Sequence, residues 1–243
     1  MVLFRQVYKL ILMLLWFLIC TICGFVIYPG GWRAVKRLSK GTRLWSKGIS
    51  FILNIKINIH GDLEPFKGIV VSNHLSYVDI LTLSNVFPIR FAANLKIEKW
   101  PLLGWFIQLS HPIWVNQKSR QASGQTLQEY VDTVDHGINL IVFPEGKISD
   151  GLNGIREFKS AAFEAVVRSQ QPALPVLIHY RDQDITWADS SPLQVHVWKI
   201  LGKKKIVVDL HILDHINPES MDRKEMVIKV HDIMDQSYRR LYD

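Results

Sequence analysis

Residues 10–28 carry no charge and are rich in Leu, Ile, Phe and Trp. A run of that length can cross the hydrocarbon core of a bilayer or lie deep in one leaflet. Arg5 and Lys9 precede it, as they would in a secretory signal, but no small-x-small cleavage site follows, so the segment reads as retained. Pro29-Gly30-Gly31 then breaks the helix. Over residues 32–53 the pattern changes: Trp32, Leu38, Leu44, Trp45, Ile49 and Phe51 interleave with Arg33, Lys36, Arg37, Lys40, Arg43 and Lys47. This predicts a basic amphipathic helix at a membrane surface. The competing reading is a core helix with a solvated basic face. More positive charge follows the apolar span than precedes it, which assigns the rest of the chain to the cytoplasmic side.

Beyond residue 53 the periodicity alternates between short strands and helices. Residues 54–60 place Ile55, Ile57 and Ile59 on one face and Lys56, Asn58 and His60 on the other, a half-exposed strand. Continuous apolar runs at 68–71, 139–143 and 173–180 predict buried strands, and Pro175 suggests a strand start or a sheet edge. Further strands are expected at 88–93, 111–117, 194–200 and 206–212, and helices at 77–85, 119–136, 160–167 and 218–242. In the last of these, Met221, Met226, Val227, Val230, Ile233 and Met234 form the core-facing stripe. The interleaving predicts an α/β fold: a single domain with a central mixed β-sheet flanked by helices, plus an N-terminal hydrophobic membrane-anchoring helix. The expected segments are a membrane segment, 1–31, an interfacial helix, 32–53, and the α/β domain, 54–243.

Composition narrows the partners. Apolar residues make up 48% of the chain, and the formal net charge is +7. A basic surface suits nucleic acid, anionic lipid or anionic substrates. No Lys/Arg block with interleaved aromatics favours nucleic acid, so lipid is the expected partner. The two cysteines, Cys20 and Cys23, both lie in the apolar N-terminal run and form no disulfide framework. The histidines show no metal-ligand spacing such as H-E-x-x-H, so no metal is expected.

The candidate chemistry sits where the apolar run 68–71 ends in Ser72-Asn73-His74 and a helical pattern begins near Ser76. A buried strand here delivers a histidine to the rim of a sheet. Asp79, five residues on, falls in the first helical turn, and across a tight turn its carboxylate reaches the imidazole. That pairing fixes the ring's tautomer and stabilises its protonated form, as a general base requires. With no G-x-S-x-G in the chain, the simplest chemistry is direct deprotonation of a substrate hydroxyl by His74. Asn, Ser and Asp are also ordinary cap and turn residues, so the residues alone leave a structural reading open.

Asn73-His74 and Asp79 match an N-H-x-x-x-x-D signature, and over residues 73–176 the chain resembles the glycerolipid acyltransferases, the family that includes the 1-acylglycerol-3-phosphate acyltransferases. Phe143-Pro144-Glu145-Gly146 resembles that family's F-P-E-G motif, and Phe158-Lys159 its F-K-x-G segment. The resemblance implies that His74 and Asp79 are catalytic, with Asn73, Lys96, Glu145, Gly146, Lys147 and Lys159 contacting substrates. Lys96 opens a segment in which a basic residue and a Pro-x-x-Gly precede a helix lining an acyl channel. Glu145 either accepts hydrogen bonds from a headgroup or supports the catalytic end of the sheet. Lys159 opens a helix whose free N–H groups suit an anion.

Four positions depart from the family pattern, among them Lys147 in the place of a threonine and Ala161 where glycine is common in F-K-x-G. Gln117 stands where many relatives carry an arginine, with Lys118 and Arg120 beyond it, and Ile148 replaces the arginine that usually follows F-P-E-G. Ser149-Asp150-Gly151 is instead similar to the lyso-ornithine-lipid acyltransferase branch. The expected function is therefore a membrane-bound acyltransferase moving a fatty acyl group from acyl-CoA or acyl-carrier protein to a lysolipid hydroxyl. The first expected acceptor is 1-acyl-sn-glycerol-3-phosphate, and a lyso-ornithine lipid is the alternative. A catalytically inactive lipid-binding protein on the same fold is the alternative of another class. No cofactor beyond the co-substrate and no nucleic-acid partner is expected, and the expected location is the inner, cytoplasmic membrane.

Overall fold

The computed structural model describes residues 1–28, 30–99, 103–116, 120–188 and 191–241. Two long helices come first, α1 (Val2–Ile27) and α2 (Gly31–Leu53). The chain then runs β1 (Ile55–His60), β2 (Ile69–Ser72), α3 (Val78–Val86), β3 (Ile89–Asn94), a 3-10 turn at Leu95–Lys99, α4 (Leu103–Leu109) and β4 (Ile113–Val115). It continues through α5 (Arg120–Asp135), β5 (Asn139–Val142), α6 (Ala161–Ser169), β6 (Ala173–Tyr180), α7 (Leu193–Gly202), β7 (Ile206–Ile212) and α8 (Arg223–Arg239).

The seven strands form one sheet in the order β1-β7-β6-β2-β5-β3-β4. β2 to β6 are mutually parallel, β7 is antiparallel to β6, and β1 is parallel to β7. The expected mixed sheet is therefore present. Every residue of β2 and β5 is buried, because helices cover both faces. The period of two divides them: Val70, Ile141 and Ile178 face a core shared with α2, α3 and α7, whereas Val71, Leu140 and Leu177 face one shared with α6 and α8. In α8, Met226, Val230 and Met234 are fully buried at helical spacing, and Asp222 caps the helix through Lys224 N and Glu225 N.

α2 turns one face inward, burying Ala34, Val35, Leu38, Ile49 and Leu53. Polar contacts join it to α3: Ser46 Oγ donates to Leu81 O, Arg43 Nε to Asn85 O at 3.1 Å, and Asn85 Nδ2 to Ser50 Oγ at 2.9 Å. α1 starts at Val2, well before the apolar run, and its first turns are tied down. Arg5 Nη1 donates to Gly202 O (2.6 Å), Gln6 Nε2 to Trp198 O (3.0 Å), and Lys9 Nζ to both Leu53 O (3.1 Å) and Lys203 O (2.9 Å). The carbonyl ends of α2 and α7, which lack intrahelical donors, thus receive cations from α1. Higher along α1, Trp16 lies against Gly48 and donates to Trp45 O at 3.0 Å. The outward face exposes Leu14, Leu18, Ile22 and Phe25, and α1 is long and apolar enough to cross a membrane.

Two expectations are corrected. Residues 194–200 are helical, not extended. Val195 and Val197 mimic a strand's alternation, but His196, Ile200 and Leu201 are the buried positions, a helical spacing, and Pro192 precedes the first turn. Packing against α1 overrides the β-branched propensity. Pro175 does not mark an edge, since β6 lies between β2 and β7. The β6–β7 ladder begins only at Val176 opposite Ile212, so the missing N–H falls where the ladder has already ended, while Pro175 O still accepts from Leu213 N.

Candidate active site

The site forms at the carboxyl end of β2, where open parallel sheets place their ligand crevices. Asn73 is buried, and its amide is used on both sides: Nδ2 donates to Ile178 O at 3.0 Å, and Oδ1 accepts from Ile178 N at 2.8 Å. This locks the end of β2 to β6 and turns the next residue, His74, outward. Asn73 thereby points into the sheet. The turn that follows is built around Asp79, which is fully buried. Its Oδ2 accepts from Leu75 N (2.7 Å), Ser76 N (2.9 Å) and His74 Nδ1 (2.8 Å). An ionised carboxylate only accepts, so the ring nitrogen facing it carries the proton. Nε2 is then the nitrogen left for a substrate proton. Position in the first turn of α3 adds the favourable end of the helix dipole to the charge on Asp79.

The other Asp79 oxygen, Oδ1, accepts from the Tyr180 hydroxyl at 2.6 Å. Tyr180 is buried, and burial, followed by the Asp79 charge, pushes its phenol well above the ordinary range, so it remains a donor. Sequence reasoning missed this residue. The available signal was a tyrosine closing an apolar strand, since a buried phenol needs a partner.

The Phe143-Pro144-Glu145-Gly146 turn supports His74 from β5. The Phe143 ring stacks on the imidazole, centroids 4.0 Å apart and planes 16° from parallel. Glu145 is buried: Oε1 accepts from His74 N (2.9 Å) and Oε2 from Arg156 N (3.3 Å). Burial pushes its carboxyl up, against the hydrogen bonds from His74 N, Arg156 N and Ser149. His74 O in turn accepts from Ser149 N at 2.8 Å. Of the two roles open to Glu145, this geometry is that of a support. Gly146 has φ +68°, and a Cβ there would overlap the Lys159 side chain, which lies across the turn. Lys159 N donates to Pro144 O at 2.9 Å.

The structure thus brings His74, Asp79, Asn73, Glu145, Gly146 and Lys159 together. Lys147 follows directly on the turn and is exposed, and Lys96 is exposed on the 3-10 turn, its N–H bonded to Asn94 Oδ1. Gln117 and Lys118 lie outside the described residues, as do Trp100, Pro101 and Leu102. Among the described residues no group of His, Cys, Asp or Glu side chains is placed to hold a metal ion.

An apolar cavity of about 430 Å³ opens beside His74. Tyr77 and Ile148 line it together with the histidine. Further wall comes from α1, α2, α3 and α7, with Phe91 of β3, Trp187, Ile97 of the 3-10 turn and Ile107 of α4. The α4 segment expected to line an acyl channel therefore does face this cavity. Tyr77 OH pairs with His196 Nδ1 at 3.0 Å, and burial raises its phenol.

A family model described as Acyltransferase matches residues 56–179. The chain is 28% identical, over 82% of its length and 78% of the relative's, to the 1-acyl-sn-glycerol-3-phosphate acyltransferase of Neisseria gonorrhoeae. It is 25% identical, over 76% of its length and 73% of the relative's, to a lyso-ornithine lipid O-acyltransferase of Pseudomonas aeruginosa. Among solved structures it superposes on the 1-acyl-sn-glycerophosphate acyltransferase PlsC of Thermotoga maritima with a TM-score of 0.69. The identity there is 22%, over 98% of both chains.

Proposed function

The chain belongs to the Acyltransferase family, and on that premise we propose that it moves a fatty acyl group from acyl-CoA or acyl-carrier protein to the hydroxyl of a lysolipid, with 1-acyl-sn-glycerol-3-phosphate as acceptor and phosphatidic acid as product. The observation that carries this reading is the His74–Asp79 pair, 2.8 Å apart, at the wall of an apolar cavity. His74 Nε2 takes the proton of the acceptor hydroxyl. The alkoxide oxygen attacks the thioester carbonyl carbon and forms a tetrahedral intermediate. Collapse breaks the C–S bond, and the departing sulfur takes the proton back from the imidazolium. Asp79 holds the ring in the productive tautomer and stabilises its charge. A thioester is already an activated acyl donor, so a base and correct positioning suffice without a covalent enzyme intermediate or a cofactor.

The apolar cavity suits an acyl chain. Lys159 across the Gly146 turn and the exposed Lys147 supply positive charge for a phosphate beside His74. The exposed apolar face of α1 and the basic residues of α2 suit a membrane surface, with the α/β domain on the cytoplasmic side.

A second reading keeps the chemistry and changes the acceptor to a lyso-ornithine lipid. It is favoured by Ile148 in place of an arginine and by the similarity to enzymes of that name. Competition decides between them. Detergent-purified protein receives lysophosphatidic acid and lyso-ornithine lipid in one tube, with acyl-CoA and acyl-carrier-protein donors, and products are read by mass spectrometry. Phosphatidic acid as main product is the expected result, and ornithine lipid as main product overturns the choice of acceptor. No transfer with any pair indicates an inactive lipid-binding protein.

A further inference from the structure

We propose that Tyr180 is a positioning residue for the reaction: by donating to Asp79 Oδ1 it sets how firmly that carboxylate holds the His74 ring. The inference rests on the reading of His74 as general base. Asp79 receives four donors. Three of them, Leu75 N, Ser76 N and His74 Nδ1, converge on Oδ2, and Tyr180 is the sole hydrogen-bond donor recorded on Oδ1 among the described residues. The two main-chain donors are fixed by the turn. Tyr180 is the side chain that can differ without altering the loop, and it arrives from β6, a different element, across 101 residues of sequence.

Its bond is short, 2.6 Å, and completely buried, where a hydrogen bond to a charged group is strongest. A donor on Oδ1 draws negative charge away from Oδ2, the oxygen that faces the imidazole. Tyr180 therefore moderates the pull of Asp79 on the ring, so that His74 releases its proton to the leaving sulfur instead of keeping it. It also fixes the plane of the carboxylate, which determines where the ring points. The titratable groups facing this assembly are Glu145, bonded to His74 N from the β5 turn, and Tyr77, beside Tyr180 at the start of α3; the Thr82 hydroxyl also reaches the Tyr180 oxygen.

The test compares kcat/KM against pH for the parent, Tyr180→Phe and a protein carrying 3-fluorotyrosine at 180, a stronger donor of nearly the same size, with His74→Ala alongside. In Tyr180→Phe the acid limb should move to higher pH by roughly half to one unit. KM for lysolipid and thioester should hold, and kcat on the plateau should fall. The fluorinated residue should move the limb the opposite way, and it keeps the test open should Tyr180→Phe fail to fold. Acid limbs coinciding with the parent's in both proteins, while His74→Ala is inactive, would overturn the role of Tyr180 and leave the general base intact. Turnover by His74→Ala would overturn the general base itself.

Discussion

Replacing Asp79 with asparagine removes one negative charge from the site and almost nothing else. The asparagine oxygen can occupy the position of Oδ2 and accept from Leu75 N and Ser76 N, the bonds of 2.7 and 2.9 Å that shape the turn. Its NH2 group then falls at the position of Oδ1, 2.6 Å from the Tyr180 oxygen, which can accept as well as donate. Every polar partner of the buried carboxylate therefore keeps a counterpart. The stability cost is the difference between charged and neutral hydrogen bonds, about 1–3 kcal/mol in all. Catalysis suffers separately, because the imidazolium that forms on proton transfer has no counter-charge, although the amide oxygen still accepts from His74 Nδ1. Loss of a counter-charge in contact with a forming imidazolium costs roughly 10- to 10³-fold in rate, about 1.4–4 kcal/mol of barrier. The assay is initial-rate acyl transfer at saturating substrate, paired with thermal unfolding of the same preparation. A folded Asp79→Asn protein within tenfold of the parent's rate would refute the assignment.

Two further predictions concern the scaffold. A Cβ at Gly48 would overlap the Trp16 indole, so Gly48→Ala should lower the melting temperature by an overpacking cost of about 1–3 kcal/mol. At Gly41 nothing lies within 4 Å, so Gly41→Ala should hold or raise stability; equal effects at the two positions would contradict the α1–α2 packing. The second is an acid response on the β1–β7–β6 face. Burial holds His179 and His211 below the usual imidazole range. With the folded values lowered, the unfolded chain takes up protons first, so their contribution is complete above pH about 6.5 and is lost as pH falls through the folded values. Asp209, held low chiefly by Arg181 (2.6 Å), contributes above the ordinary aspartate range and is lost only at lower pH. The double variant His179→Gln, His211→Gln should therefore show a flatter melting-temperature profile between pH 7 and 5 than the parent; parallel profiles would contradict this.

The hydrophobic pattern was informative wherever burial was two-sided or strictly periodic. β2 and β5 read as continuous apolar runs because helices cover both faces, and α8 announced itself through Met226, Val230 and Met234. It failed at α7, where valines at alternate positions suit a strand and only the contact with α1 decides for a helix. Arg5, Gln6 and Lys9 read as the polar flank of an apolar segment. Their bonds to the ends of α2 and α7 span up to 197 residues, and no local signal marks such partners. The same holds in the site. His74 and Asp79, five residues apart across one turn, could be paired on spacing alone. Asn73 and Glu145 could be placed near them but not oriented, and the structure shows each bonded to main chain: Asn73 to Ile178, Glu145 to His74 and Arg156. Tyr180 joins through the sheet, and strand order is what brings it there.

The most direct test of the central claim is acyl transfer to a lysolipid by purified His74→Ala, beside the parent and measured by product mass spectrometry, with membrane association followed in parallel. The account predicts transfer reduced to the uncatalysed background while membrane association is retained. Near-parental turnover in the alanine variant would contradict it.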